Sequence, residues 1–247
     1  IDVTGEGYSY EGKFLVKNKL YDKKKISKLL EAGLLCNNSK IEKGKIIGDP
    51  TEASLIVLAN KANSVAPFVR LDEIPFSSET KFMATLNNIG REKFWHYKGA
   101  PEVILSKCKF VLIDNKKSLL TEKDKKKILA INNDMANEAL RVLALAYGKD
   151  ENNLTFLGLV GMIDPPRKEV IEAIKKCKEA GIRSIMITGD HKITAQAIAR
   201  QIGLNQRAIT GDEIDSLSDE DLKNISKEID IYARVSPLHK VKILKAL

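Results

Sequence analysis

A chain of 247 residues with 43% hydrophobic and 30% charged side chains can bury a substantial core, and its length suits two ordinary domains better than one large one. No apolar run approaches the roughly 20 residues that cross a bilayer, and IDVTGEGYSY at the start has no basic flank, apolar stretch or cleavage site of a secretory signal, so the chain itself is expected to span no membrane. The net charge of +8 lies in solvated lysine runs such as YDKKKISK without interleaved aromatics, which argues against nucleic acid as a partner, and Cys36, Cys108 and Cys177 fit neither a disulfide framework nor a zinc site.

Residues 1 to about 20 alternate apolar and polar around Gly5, Gly7 and Gly12, which predicts strands joined by a turn; Tyr10 stands where a G-x-G-x-x-G fingerprint needs its third glycine. A helical period runs from Lys23 to about Cys36 through Ile26, Leu29, Leu30 and Leu34, and DPTEASLIVLANKA predicts a second helix with Pro50 and Glu52 in its first turn. VRLDEIPF, KFMATLNN and KFWHYKG read as short strands, APEVILSKC as a helix opened by Pro101, and TEKDKKKILAINNDMANEALRVLALAYG as a long helix running into an apolar strand. After GKDENN the texture changes to apolar strands alternating with helices, from LTFLGLVGMID through SIMIT, AITG and IYARV to LHKVKILKAL. Such a pattern predicts a parallel sheet covered on both faces, with ligands at the carboxyl ends of its strands. The expected class is α/β overall: a mostly antiparallel α+β domain over 1–160, then a partial doubly wound domain over 161–247.

Several corners can carry chemistry. Thr188, Gly189 and Asp190 join an apolar strand to a helix start, where free N–H groups, a hydroxyl and an open backbone suit a phosphate; a plain N-cap at Asp190 would account for the residues equally. Asp164 precedes Pro165 and Pro166 at the change of texture, as in a stiff hinge. Arg234 ends a strand and Lys240 lies in the next helix. In the first half Asp49 and Glu52 sit at a helix start, and IPFSSETKFMATL brings Phe76, Ser78, Lys81 and Met83 onto adjacent strand positions. A ring beside a lysine and a methionine suits a stacked adenine, although Phe76 and Met83 could be core residues instead. Lys98 precedes the Gly99-Ala100-Pro101 turn and can project along a pocket floor.

In chain order the segments G-D-P-T-E, P-F-S-S-x-x-K-F-M, K-G-A-P-E, L-R-V-L-A, D-P-P-R, M-I-T-G-D and A-R-V-S-P-x-x-K closely resemble the large cytoplasmic loop of P-type cation-transporting ATPases, from about Gly48 to Lys240. The resemblance implies a nucleotide-binding domain over 1–160 and part of a haloacid-dehalogenase-like phosphorylation domain over 161–247. It implies ATP as ligand, with Phe76 stacking on adenine, Glu52 near the adenine amino group, and Lys81, Lys98, Gly99 and Met83 lining the pocket. Arg141 is then the arginine that reaches the phosphates, Asp164 a hinge aspartate, Thr188 and Gly189 the pair that contacts the phosphoryl group with Asp190 close by, and Arg234 and Lys240 cations near the nucleotide and the phosphoryl group. Ser78 stands where calcium pumps often carry arginine.

The nucleophile segment D-K-T-G-T and the magnesium segment G-D-G-V-N-D of that family do not occur here. The resemblance therefore implies a piece of a larger pump that binds ATP without forming an aspartyl-phosphate, with Mg2+ serving the parent protein through ligands outside this chain and no metal ligands expected within it. The implied partners are the transmembrane and actuator domains of the same pump, and the implied place is the cytoplasmic face of a membrane. The segments EIPFSSETKFMAT and KGAPEVIL resemble the type II pumps, with a leaning to calcium, and no Ser-Glu-His-Pro occurs as in heavy-metal pumps. Two other readings are a soluble haloacid-dehalogenase-type phosphatase with a cap domain, for which no D-x-D strand is found, and a non-catalytic nucleotide-binding module.

Overall fold

The computed structural model describes residues 1–5, 7–42, 45–64, 67–163, 166–190 and 192–247. The chain divides into two compact units, Ile1–Asn132 with Val142–Met162, and Asn133–Arg141 with Ile163–Leu247. In chain order the elements up to residue 162 are β1 (Asp2–Val3), β2 (Phe14–Val16), β3 (Lys19–Leu20), a 3-10 turn Lys23–Ile26, α1 (Ser27–Leu35), β4 (Lys40–Glu42), β5 (Lys45–Ile47), α2 (Pro50–Lys61), β6 (Val69–Ile74), β7 (Phe82–Ile89), β8 (Glu92–Gly99), α3 (Pro101–Lys107), β9 (Cys108–Ile113), β10 (Lys116–Leu119), α4 (Glu122–Asn137), β11 (Arg141–Gly148) and β12 (Leu154–Met162).

The first unit is built on a seven-stranded sheet of order β10-β9-β12-β11-β8-β7-β6. Its pairs β6/β7, β7/β8, β8/β11 and β9/β10 are antiparallel, while β12 runs parallel to β9. The apolar run LTFLGLVGM, expected to open the parallel half of the chain, is therefore a strand of this first sheet. Side-chain alternation sends the sheet's residues to two cores. Ala84, Tyr97, Ala144 and Ala146 pack with Ile104 and Leu105 of α3 on one face, whereas Leu145 joins Leu29, Leu30 and Ala32 of α1 on the other. Helix α2 begins where Asp49 caps it, accepting from Thr51 N (2.8 Å) and Glu52 N (3.2 Å), with Pro50 in the first turn. It buries Ala53, Leu55, Val57 and Ala59, a spacing of two that no single helix face can hold, so neighbours cover it on more than one side.

The expected glycine-containing connection in the first 20 residues joins the antiparallel strands β1 and β2, and the hairpin between β2 and β3 is made without glycine. Lys17 and Asn18 make that hairpin with both φ values positive (49° and 62°), the type I′ geometry whose twist matches the strands, and Gly5 and Gly7 lie between β1 and β2. Asp114 and Asn115 close the β9/β10 hairpin in the same way.

The second unit carries α5 (Lys168–Glu179), β13 (Met186–Ile187), α6 (Lys192–Gln201), β14 (Ala208–Thr210), α7 (Gly211–Asp215), α8 (Asp219–Ser226), β15 (Ile231–Ala233) and α9 (Pro237–Ala246). Strands β13-β15-β14 form a parallel sheet. The central strand β15 is buried on both faces: Ile231 and Ala233 pack on Ala195 and Ala199 of α6, and Tyr232 packs with Leu222 of α8 and Ile243 of α9. Burial on both sides is why this strand reads as a continuous apolar run.

Leu145 is fully buried and faces Gly33 of α1, where an added Cβ would lie 3.5 Å from Leu145 Cδ1. Leu145→Ala is expected to lower unfolding free energy by about 2–5 kcal/mol in a denaturant titration. Leu238→Ala, at a side chain 79% exposed on α9, is expected to stay within about 0.5 kcal/mol.

Candidate functional site

Strands β6, β7 and β8 are consecutive antiparallel neighbours, so the end of β6, the start of β7 and the end of β8 meet at one edge of the first sheet. Pro75 follows the last residue of β6 and has no N–H for a ladder. The chain then turns: Ser77 Oγ lies 2.8 Å from Thr80 Oγ1 and accepts from Thr80 N (3.0 Å), and Lys81 N donates to Ser77 O (2.8 Å). Phe76, Ser78 and Lys81 thus occupy a turn, not strand positions, and of the four residues expected on the strand only Met83 lies there. Phe76 is 60% exposed and Met83 only 1%, so the methionine belongs to the core and the phenylalanine does not.

The turn is fastened to the K-G-A-P-E segment. Ala100 N donates to Lys81 O (3.0 Å), and Gly99 stands opposite Phe82 in the ladder. A Cβ on Gly99 would lie 2.5 Å from Lys81 O and 2.7 Å from Phe82 Cβ, a clash that only glycine avoids at this approach.

Lys98 is not solvated. Its side chain is 7% exposed and its Nζ forms an ion pair with Glu52 Oε1. Met83 and Lys98 are directly opposed in β7 and β8, so they share a face of the sheet. The other carboxylate oxygen, Glu52 Oε2, accepts from Asn38 N (2.9 Å) and Ser39 Oγ (3.3 Å). Ser39 can stand there because Gly48, at φ 114°, has no side chain; a Cβ on Gly48 would come within 2.5 Å of Ser39 Oγ. The glycine of G-D-P-T-E thus makes room for a residue that holds the glutamate of the same motif.

A second basic group follows on the same face of β8. His96, 1% exposed, places Nδ1 3.1 Å from Asn87 Nδ2, and its Nε2, without a hydrogen-bond partner among the described residues, 3.6 Å from Glu31 Oε1 of α1; that oxygen accepts from Lys28 Nζ (2.8 Å). Burial pushes the Glu31 carboxyl up, but the His96 ring and the Lys28 ammonium together outweigh it and hold the group below its ordinary value. Nearby, burial pushes the Cys36 thiol up to about 12, and its Sγ donates to Met83 O (3.4 Å), so Cys36 is a core residue and not a nucleophile.

In the second unit Thr188 and Asp190 follow β13, and Arg234 follows β15. Thr188 N donates to Tyr232 O (2.9 Å), Val235 N to Thr188 O (3.2 Å) and Arg234 N to Asp190 O (2.9 Å), so the two strand-end loops are stitched together through their backbones. Thr188 Oγ1 donates to Asp190 Oδ2 (2.9 Å) and accepts from Asp190 N (3.1 Å). Arg234 adopts φ 50°, and among the described residues nothing lies within 4 Å of a Cβ built on Gly189, so the backbone there stays open to approach. Lys240 is an exposed residue in the first turns of α9. Arg141 opens β11 and groups with the second unit, and Asp164 lies outside the described residues. The structure thus brings together Phe76, Ser78, Lys81 and Gly99 at one strand edge, with Glu52, Met83 and Lys98 adjoining, and Thr188, Asp190 and Arg234 at another. Asn38, Ser39, Glu31 and His96 were not foreseen; no motif marks them, and only the fold shows which motif residues they touch.

The family described as P-type ATPase, cytoplasmic domain N, matches residues 25–169. The chain is 42% identical over 239 residues to a calcium-transporting ATPase of Listeria monocytogenes, covering 89% of this chain and 27% of that protein. It is 38% identical over 271 residues to a calcium-transporting ATPase of Bacillus subtilis, covering 99% of this chain and 30% of that protein. It is 36% identical over 259 residues to the human calcium-transporting ATPase type 2C member 1, covering 100% of this chain and 28% of that protein. The chain therefore spans less than a third of the length of these relatives.

Removing one partner of a nearly dry ion pair strands the other charge. Lys98→Met is expected to lower unfolding free energy by about 2–4 kcal/mol, and Glu52→Gln combined with Lys98→Met to recover a large part of it, as read by a double-mutant cycle. Glu31, with a depressed folded pKa, contributes stability that is complete above the ordinary carboxylate range and lost as pH falls through the folded value. The stability gap between wild type and Glu31→Gln is expected to close as urea titrations move from about pH 7 to about pH 3.

Proposed function

The chain belongs to the P-type ATPases, and from that premise we propose that it is the ATP-binding part of a pump that couples ATP hydrolysis, through an aspartyl-phosphate, to calcium transport. The observation that carries the reading is the exposed ring of Phe76 on a turn that also holds Lys81 and is tied to Ala100, two residues past the buried Lys98 of the Glu52–Lys98 pair. An exposed aromatic face on the same turn as an exposed lysine suits a purine nucleotide: the ring takes the base, and the Lys81 ammonium offsets charge on its phosphates.

In this reading Phe76 stacks on adenine, Glu52 accepts from its amino group, and Lys81, Lys98, Gly99 and Ser78 line the site, with Met83 packed beside them in the core. Arg141 reaches the phosphates, Thr188 and Gly189 receive the phosphoryl group with Lys240 attending it, Asp190 and Arg234 lie near the nucleotide, and Asp164 serves as a hinge. Residues 1–160 then form the nucleotide-binding domain and 161–247 part of a haloacid-dehalogenase-like phosphorylation domain, on the cytoplasmic face of a membrane beside the pump's transmembrane and actuator domains. No helix among the described residues is long and apolar enough to cross a membrane, so the crossing would be made by other parts of the pump.

Mg2+ in such a pump neutralises the phosphates during transfer. Among the described residues no three His, Cys, Asp or Glu side chains are gathered, and no step here runs through the ion. The sequence has no D-K-T-G-T, and the reading accordingly has this chain bind ATP without accepting its γ-phosphoryl group.

Calorimetric titration of the 247-residue chain with ATP tests the reading. Phe76→Ala is expected to weaken binding about tenfold, the size of one lost base–aromatic stack. Lys81→Ala is expected to weaken it by about threefold or more while leaving the thermal midpoint in place. Affinity unchanged by both substitutions would refute the site.

A further inference from the structure

Glu52 is held from a second direction that the motif residues do not supply. The loop Cys36–Ser39 reaches it three times: Asn37 Nδ2 donates to Glu52 O (2.8 Å), while Asn38 N and Ser39 Oγ meet Oε2. That loop is itself clamped by one side chain of β6. Arg70 Nη2 donates to Leu35 O (3.0 Å) and to Asn37 O, and Arg70 Nη1 donates to Asn38 Oδ1 and to Glu73 Oε2 (3.0 Å). Glu73 Oε1 closes the ring by accepting from Asn38 Nδ2 (2.7 Å). The register of β6 on β7 shifts between Arg70 and Asp72, an irregularity of the kind that re-aims a side chain. Here the re-aimed guanidinium spends its planar fork on two backbone carbonyls, an amide and a carboxylate, all within one turn and its neighbour.

The consequence falls on the acceptor positions of Glu52. A carboxylate offers about four. Among the described residues Lys98 Nζ and Asn38 N occupy two of them, and the single Ser39 hydroxyl hydrogen is shared between Asp49 O (3.0 Å) and Glu52 Oε2 (3.3 Å), which leaves room for a further donor, in a direction fixed by the loop. We infer that Arg70 is a positioning residue for the purine site: by clamping the Asn37–Ser39 loop it orients the Glu52 carboxylate so that its remaining acceptor position selects a base with an exocyclic amino group. The inference rests on the proposal that Glu52 meets adenine. A base carrying a carbonyl in place of the amino group, as in ITP, would set oxygen against oxygen and lose that bond.

The test is paired titration of the full chain with ATP and ITP, because a loss of general stability moves both affinities together whereas a misaimed carboxylate moves only their ratio. The wild-type chain is expected to prefer ATP by about tenfold, the worth of one hydrogen bond to a charged group. Arg70→Gln is expected to cut that preference to about threefold or less with ITP affinity changed by less than about twofold, and Arg70→Lys, which keeps the charge but not the fork, to fail to restore it. Ser39→Ala removes a single donor and carries the same readout should Arg70→Gln not fold. A wild-type preference in both Arg70→Gln and Ser39→Ala, together with its collapse in Glu52→Gln, would overturn the role of Arg70 and leave the Glu52 reading standing. A preference unchanged in Glu52→Gln, or absent from the wild type, would overturn both.

Discussion

The Lys98 ammonium and the Glu52 carboxylate can be buried at this depth only together. A lone ammonium under the sheet would lose several kcal/mol of hydration with nothing to offset it, so the pair fixes the distance between the start of α2 and the end of β8. Much else follows from that constraint. The first turn of α2 must present Glu52 inward, which the Asp49 cap and Pro50 secure by setting where the helix starts. The end of β8 must lie close against β7, which Gly99 permits. The turn carrying Phe76 and Lys81 is then hung from the same edge by the Ala100–Lys81 hydrogen bond.

The two units solve different problems with different sheets. In the first, strands of mostly antiparallel pairing separate an apolar core around Tyr97 from a face where Thr85, Asn87, His96 and Lys98 are buried polar groups. That second face is costly to build, because each polar group needs a partner: Glu52 answers Lys98 from a neighbouring helix, whereas His96 Nε2 has no hydrogen-bond partner among the described residues and has the Glu31 carboxylate only 3.6 Å away. In the second unit short parallel strands end at one side, where the loops after β13 and β15 share backbone hydrogen bonds around Thr188, Asp190 and Arg234. Side chains can be exposed there because the backbone does the holding.

Helix α2 was legible because its signals are local: Asp49, Pro50 and Glu52 stand together before an apolar stretch. The strands KFMATLNN and KFWHYKG were legible as strands, but not the side on which each residue would lie, since both faces of the sheet are covered and the alternation carries no contrast between water and core. The burial of Lys98 was out of reach for the same reason; its partner lies 46 residues earlier in the chain. The misplacement of LTFLGLVGM has a related cause, for a continuous apolar run states that a strand is buried on both sides and not which sheet buries it. The β9/β10 hairpin is marked by Asp114-Asn115 between FVLI and KKSLL, a local turn signal of short polar residues that tolerate positive φ. Arg70 had no signal at all, because its four acceptors come from residues scattered between Leu35 and Glu73.

The proposed purine-nucleotide site lies at the edge where β6, β7 and β8 end, beside the Glu52–Lys98 pair. Two-dimensional amide NMR of the isotopically labelled chain during addition of ATP addresses it without any substitution. The expected result is that the largest shift changes gather in three stretches far apart in sequence, Asn38–Glu52, Phe76–Lys81 and Lys98–Ala100. Changes centred instead on Trp95, Tyr97 and α3 at the opposite face, or no saturable change anywhere, would contradict it.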